Sequence, residues 1–292
     1  MKKIMVIGIE GMLGHTFLNV ASKDYDVVGT YFGSKFKQKF QKFSTEELDI
    51  TNKKSVDSIV KKHMPDMIVN CAAVTDVDFC ESHPKIAEAV HVDGTKFLSE
   101  AADAICTKFV HLSTDFIFDG RKGCYTEEDS PNPLGVYAKT KYEGEKVVSK
   151  NGIIGRTCIY GWNIQNKQSI VEWIINKLMN SKSVSLFVDS FFSPIYTGDF
   201  SRIILEMFEK KLKGIYHVAG SEKISKYKFG LKVAKVFNLN EEYIKPIKFD
   251  SIKRKAERPK DTSLRCDKIK KKGFKLKNVE EGLKMMKNDR KI

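Results

Sequence analysis

Three side chains carry the chemistry this chain offers: Thr114, Tyr137 and Lys141. On an α-helix, residues four apart share a face, so Tyr137 and Lys141 point into one pocket. An ammonium there favours tyrosinate and draws the phenol below its free pKa of roughly 10. Tyr137 then becomes a usable proton donor or acceptor near neutral pH. Thr114 follows the strand-like run 108–113, which puts its hydroxyl at that strand's carboxyl end. A hydroxyl, an activated phenol and a lysine together suit proton transfer to or from a substrate oxygen. The Tyr-x-x-x-Lys spacing recurs at Tyr31/Lys35 and Tyr142/Lys146. Tyr31 lies in a strand-like run, where the same-face argument fails. Tyr142 lies roughly 140° around the axis from Tyr137, so both cannot face one ligand. The upstream Ser113-Thr114-Asp115 and the prolines 131 and 133 select Tyr137.

These residues need a scaffold, and the periodicity supplies one. The apolar run Lys3–Ile7 opens onto Gly8-Ile-Glu-Gly11-Met-Leu-Gly14, and a helical pattern follows from Leu13 to about Lys23. A strand, a glycine loop and a helix make a phosphate cradle, with backbone N–H groups facing a pyrophosphate. Gly8, Gly11, Met12, Leu13 and Gly14 would form it. A second strand, Asp26–Phe32, has no acidic residue at its end, where dinucleotide folds bind the adenosine ribose. Ser34 and Lys35 suit a 2′-phosphate there, whereas Glu10 in the glycine loop would repel one. We expect NADPH, with NADH as the alternative. Asp49 and Ile50 are placed to reach the adenine, and Cys71, Ala72 and Ala73 end a third strand (66–73) in small residues that leave room for a cofactor.

A helix is expected over 84–104, a fourth strand over 108–113 and a fifth from Ile153. Such alternation implies an α/β fold, a Rossmann-like doubly wound parallel sheet with ligand at the strands' carboxyl ends. After Arg156 the rhythm loosens: helices over 169–180, 198–211 and 225–237, strands over 184–188 and 214–219, and a short closing helix over 282–286. We therefore expect a dinucleotide-binding domain over 1–155, to which the chain returns within 184–220, and a smaller substrate domain over 156–292.

Hydrophobic residues make up 41% and charged residues 30% of the 292, ordinary for a soluble globular protein. No apolar run is long enough to span a bilayer. The start MKKIMVIGIEGMLG resembles a secretion signal, but its glycine spacing reads as a first strand. A cytoplasmic protein without membrane partner is expected. Six cysteines include no Cys-x-x-Cys pair and six histidines no His-x-x-x-His pair. Neither a disulfide framework nor a metal site is therefore expected. The net charge of +14 reads as a solvated lysine-rich surface. It also suits attraction of a dinucleotide or a nucleotide-sugar pyrophosphate. No nucleic-acid signature accompanies it.

The ordered motifs GIEGMLG (8–14), VNCAAVTDVDFCE (69–81), STDFIFDG (113–120), YTEEDSPNPLGVYAKTKYEGE (125–145), GRTCIYG (155–161), FFSPIYTGDFSRII (191–204), GIYHVAG (214–220) and RPKDTSL (258–264) cover most of the chain. Their set resembles the dTDP-4-dehydrorhamnose reductase family of extended short-chain dehydrogenase/reductases. The resemblance implies NAD(P)H-dependent reduction of the C4 keto group of a dTDP-linked 4-keto-6-deoxy sugar, for deoxysugar and surface polysaccharide synthesis. In that reading Tyr137 protonates the alkoxide, Lys141 holds the nicotinamide ribose, and Thr114 orients the carbonyl beside Asp115 and Phe116. Thr75 and Val77 match positions near the nicotinamide and sugar, and Arg258 is assigned to the nucleotide end of the substrate. Trp162 follows the fifth strand one glycine late, and Asp93 stands where the family has a middle-helix asparagine. The magnesium-binding glutamates of some dimeric relatives find no match, so no metal is carried over, while a homodimer stays open. The resemblance extends to the regulatory subunit of methionine adenosyltransferase, a non-catalytic dinucleotide-binding partner, and to other nucleotide-sugar reductases and epimerases.

Overall fold

The computed structural model describes residues 1–33, 43–165 and 167–290; Ser34 and Lys35 lie outside them. The first half alternates as the apolar pattern dictates. It comprises β1 (Lys3–Ile7), α1 (Met12–Ala21), β2 (Asp26–Tyr31), β3 (Ser44–Glu47), α2 (Lys53–His63), β4 (Met67–Asn70), α3 (Val77–Ser82) and α4 (Pro84–Glu88). A π-helical turn (Ala89–Asp93), α5 (Gly94–Ala104), β5 (Lys108–Thr114), α6 (Val136–Lys146) and β6 (Ile153–Thr157) follow. The second half holds β7 (Ile159–Tyr160), α7 (Ile170–Met179), β8 (Val184–Phe187), β9 (Phe191–Phe192), β10 (Ile195–Tyr196) and α8 (Thr197–Glu209). It closes with β11 (Gly214–His217), β12 (Ile224–Ser225), α9 (Lys226–Phe237), β13 (Ile244–Ile247), α10 (Asp267–Lys270) and α11 (Val279–Arg290).

Seven strands form one parallel sheet in the order β11-β6-β5-β4-β1-β2-β3. Side chains alternate across a strand, so Ile4 and Val6 enter the core on one face while Met5 and Ile7 enter that on the other. Helices cover both faces, which is the Rossmann-like arrangement. The strand order reverses beside β1, between β2 and β4, and opens the crevice where such folds bind ligands. A separate apolar core gathers Phe192 and Phe229 with the inner faces of α7, α9 and α11.

Within 184–220 the return to the main sheet is made by β11, with α8 packed on α1, as expected, while β8 pairs with β13 outside that sheet. Several other expectations are corrected. The helix expected over 84–104 changes its winding in the π turn, and the closing helix is the whole of α11. β3 and α2 were not expected at all. β3 is a polar edge strand, and α2 buries only Val56 and Val60 among its lysines.

The π turn matters because α6 crosses it at a glycine. A Cβ on Gly144 would overlap the carbonyl oxygen of His91, whereas one on Gly155, in the middle of β6, would meet nothing nearer than 3.5 Å. Gly144→Ala should therefore lower stability by about 1–3 kcal/mol through overpacking. Gly155→Ala should stay within about 1 kcal/mol of the parent. Chemical denaturation of the two variants checks this, and equal effects would remove the close crossing as their cause.

Candidate active site

The glycine loop is built by backbone demands. Gly8 has φ +80°, and a Cβ there would lie 2.9 Å from Ala72 Cα. A Cβ on Gly14 would overlap the Gly8 carbonyl oxygen. The N–H groups of Gly8 and Ile9 both donate to Thr30 O at 2.9 Å, tying the loop to β2. Gly11 is different. Its φ is an ordinary −80°, and a Cβ would meet only Gly8 O at 3.4 Å. Nothing in the protein requires glycine there, so its bare Cα is left for close approach by a ligand at the N-terminus of α1. These features fit a dinucleotide pyrophosphate.

Beside the loop runs a cleft of about 620 Å³. Of the residues expected at the cofactor, Gly8, Gly11, Asp49 and Ile50 line it, as do Cys71, Ala72 and Ala73. Leu13 is buried in the core and Gly14 packs under the loop, so they serve the cradle through backbone alone. Met12 begins α1. Asp49 turns its carboxylate onto the N–H and hydroxyl of Thr51, at 2.9 and 2.7 Å.

Thr114 is the last residue of β5 and caps the tight turn that follows, accepting from the Phe116 N–H at 3.2 Å. Its hydroxyl also donates to Asp115 Oδ1 at 3.2 Å. Tyr137 stands in the first turn of α6, its ring edge-on to His91 at 5.7 Å and to Phe116 at 6.2 Å. One turn on, Lys141 is 4% exposed and its Nζ donates to Leu112 O at 2.5 Å. After another turn, Glu145 accepts from Arg156 Nε and Nη2 at 3.0 and 2.8 Å in a buried ion pair. The face of α6 turned to the sheet thus carries Tyr137, Lys141 and Glu145 in succession. Tyr142 and Lys146 pair with each other instead, the ammonium 4.5 Å from the ring centroid.

The expected activation of Tyr137 by Lys141 is corrected. Burial pushes the phenol well above its ordinary pKa, and the Thr114 hydroxyl offsets part of that rise. Burial also draws Lys141 down to about 8, against the opposing pull of Glu145. Desolvation penalises the charged form of each group and outweighs any mutual stabilisation. Tyr137 is therefore a neutral phenol at neutral pH, in the state that can give a proton.

The residues expected at the substrate are spread more widely. Asp115 is corrected: it is 2% exposed and its two oxygens accept from the Thr114 and Thr262 hydroxyls. It braces the end of β5 rather than offering a free carboxylate. Thr75 accepts from Lys167 Nζ at 3.0 Å, Val77 opens α3, and Arg258 Nη2 donates to Asp78 at 2.9 Å.

The sequence reading missed His91. Asp93 is exposed, and the π turn instead points His91 inward, 1% exposed. The Val74 N–H donates to His91 Nε2 at 3.0 Å, so Nδ1 carries the proton and donates to Thr140 Oγ1 at 2.8 Å. Thr140 donates in turn to Val136 O at 2.9 Å. Burial, aided by the Lys141 charge, lowers His91 to about 3, so it stays neutral. Only the π turn reveals this residue, and no spacing rule signals it.

A buried ammonium leaves a pH signature. Below about pH 8, folded and unfolded chains both hold the Lys141 proton, and the folded state carries the full burial penalty. Between about 8 and 10.5 the folded state releases that proton while the unfolded chain keeps it, so this contribution to stability rises with pH. Lys141→Met should raise stability at pH 7 by about 1–2 kcal/mol, the relief of burial less one lost hydrogen bond. It should also flatten the rise. Denaturant titrations across pH 6–10 check this, and a destabilised variant would contradict it.

A sequence profile described as the RmlD substrate binding domain matches residues 1–291. The chain is 33% identical to a dTDP-4-dehydrorhamnose reductase of Aggregatibacter actinomycetemcomitans, over 80% of this chain and 78% of that protein. It is 30% identical to methionine adenosyltransferase 2 subunit beta of Bos taurus, over 92% of this chain and 81% of that protein. The solved dTDP-4-dehydrorhamnose reductase of Bacillus anthracis, in complex with NADP, superposes with a TM-score of 0.87 at 27% identity, covering 99% of this chain and 100% of that one. The chain belongs to the RmlD family, that of the dTDP-4-dehydrorhamnose reductases among the extended short-chain dehydrogenase/reductases.

Proposed function

We propose that this protein is an NAD(P)H-dependent reductase of the C4 keto group of a dTDP-linked 4-keto-6-deoxy sugar, serving deoxysugar synthesis. The observation that carries the reading is the placement of Tyr137 in the first turn of α6, one helical turn before the buried Lys141 ammonium and with its ring against Phe116, two residues past Thr114. When bound, the dinucleotide supplies hydride. The chain supplies the rest. Reduction turns a ketone oxygen into an alkoxide, a far stronger base than a phenolate, so a raised phenol pKa does not prevent Tyr137 from protonating it. Thr114 orients the ketone oxygen by hydrogen bonding, and Lys141 holds the nicotinamide ribose. The loop of Gly8, Gly11 and Gly14, with the N-terminus of α1, takes the pyrophosphate. Residues 156–292, apart from the return through α8 and β11, form the smaller sugar-nucleotide-binding part, with Arg258 towards the nucleotide end of the substrate.

A second reading, a dinucleotide-binding regulatory subunit, is favoured by the 30% identity to the methionine adenosyltransferase subunit beta. Retention of Thr114, Tyr137 and Lys141 favours the enzyme. The test is cofactor oxidation with dTDP-, UDP- and GDP-linked 4-keto sugars. We expect turnover with the dTDP-linked 4-keto-6-deoxy sugar. Tyr137→Phe should lower it by about 100-fold or more, the scale of a lost general acid, and Tyr142→Phe should leave it nearly intact. No turnover with any sugar, together with a stable complex with a methionine adenosyltransferase, would move the reading to the regulator.

A further inference from the structure

Orienting a ketone oxygen requires Thr114 to offer it a proton, and that proton is already engaged. The Thr114 hydroxyl donates to Asp115 Oδ1 at 3.2 Å and accepts from the Phe116 N–H at 3.2 Å. A hydroxyl has one proton, so while it rests on Asp115 the group offers a ligand only a lone pair. The bond is long beside the roughly 2.7–2.8 Å usual for O–H···O contacts, and such a bond holds its proton weakly. Asp115 can release it at low cost only if its buried carboxylate keeps another donor, because an unanswered buried acceptor is costly.

Thr262 is such a donor. Its hydroxyl donates to Asp115 Oδ2, and the residue is 3% exposed. It is held from both sides. The Thr262 N–H donates to Phe191 O in β9 at 3.0 Å. The next residue, Ser263, accepts from the Cys124 and Tyr125 N–H groups at 2.7 and 2.9 Å. Burial raises the Asp115 pKa, and the Thr262 hydroxyl opposes that rise ahead of the Lys226 charge and the Thr114 hydroxyl. We infer that Thr262 is a positioning residue for the reduction: by answering the Asp115 carboxylate, it frees Thr114 to turn its proton to the ketone oxygen. This rests on the reading of Thr114 as the group that orients the ketone. The second half of the chain thereby sets the hydrogen-bonding state of a catalytic group at the end of β5.

The test is a double-mutant cycle on turnover of the dTDP-linked 4-keto-6-deoxy sugar, with a melting temperature recorded for every variant. Thr262→Val keeps the volume and removes the hydroxyl. It should lower kcat by about tenfold or more, a share of the roughly 10²–10³-fold carried by one donor at a developing oxyanion. KM should change little. Thr262→Ser restores the hydroxyl and should recover most of the loss. In a Thr114→Val background, which lacks the proton in question, Thr262→Val should cost nothing further. An equal loss with and without the Thr114 hydroxyl would overturn the inference and make Thr262 a brace of the fold. So would full activity of Thr262→Val, or a melting temperature that falls in step with its turnover. Full activity of Thr114→Val would overturn the inference together with the role of Thr114, and leave the reductase reading standing. No turnover by the parent with any keto sugar would overturn that reading and the inference at once.

Discussion

A buried ammonium governs the geometry of this molecule. Lys141 is almost wholly removed from water, and the acceptor it finds is the backbone carbonyl of Leu112. Charge in such a place must be answered or surrendered. The bond to Leu112 therefore fixes both the rotation and the height of α6 against β5. The buried pair of Glu145 with Arg156 repeats the constraint one turn later, against β6. Removing one partner of a buried ion pair typically costs about 3–5 kcal/mol. Tyr137 stands one turn before these two anchors, with its own ring edge-on to His91 and Phe116.

A further contact on α6, at Thr140, is made by an uncharged group. His91 joins the loop after β4, through Val74, to Thr140 on α6, and its single tautomer makes the chain of hydrogen bonds directional. A protonated imidazole would have no proton acceptor to offer Val74 and would face Lys141. The neutral histidine and the charged lysine are thus compatible only in this protonation pattern. The π turn is what brings the ring there, since an α-helical winding would carry residue 91 to another face.

Much of this was legible because it follows from local rules. The glycine loop could be read from its spacing, since the positive φ of Gly8 and the tight packing at Gly14 leave no other residue a place. The doubly wound sheet followed from apolar runs such as Ile4–Ile7 alternating with amphipathic helices. The separation of Tyr137 from Tyr142 followed from helix geometry. What stayed hidden depends on three dimensions. β3 carries Ser-Thr-Glu-Glu, a sequence with no apolar alternation, because an edge strand needs little burial. The direction of the Tyr137 shift was misread because a charge-pair argument counts neighbours and omits desolvation. Asp115 looked like a ligand because its partner, Thr262, lies 147 residues away.

The sheet is completed out of order, and this shapes how the protein must be made. The strand beside β6 is β11, and the helix that covers α1 is α8, both drawn from beyond residue 196. On the ribosome, β6 emerges with its outer edge unpaired, and Phe17 and Leu18 of α1 lack their α8 cover until those later segments follow. An open strand edge is a template for pairing with other chains, and a half-covered core is the usual route to aggregation during synthesis. In between come β7, α7, β8, β9 and β10, most of which belong to the second core. That core lacks α9 and α11 at this stage, so it cannot close first. The α1 face of the sheet and the second core must mature together, and nearly the entire chain has to be present before either is sealed, whereas the opposite face of the sheet draws only on residues up to Val148.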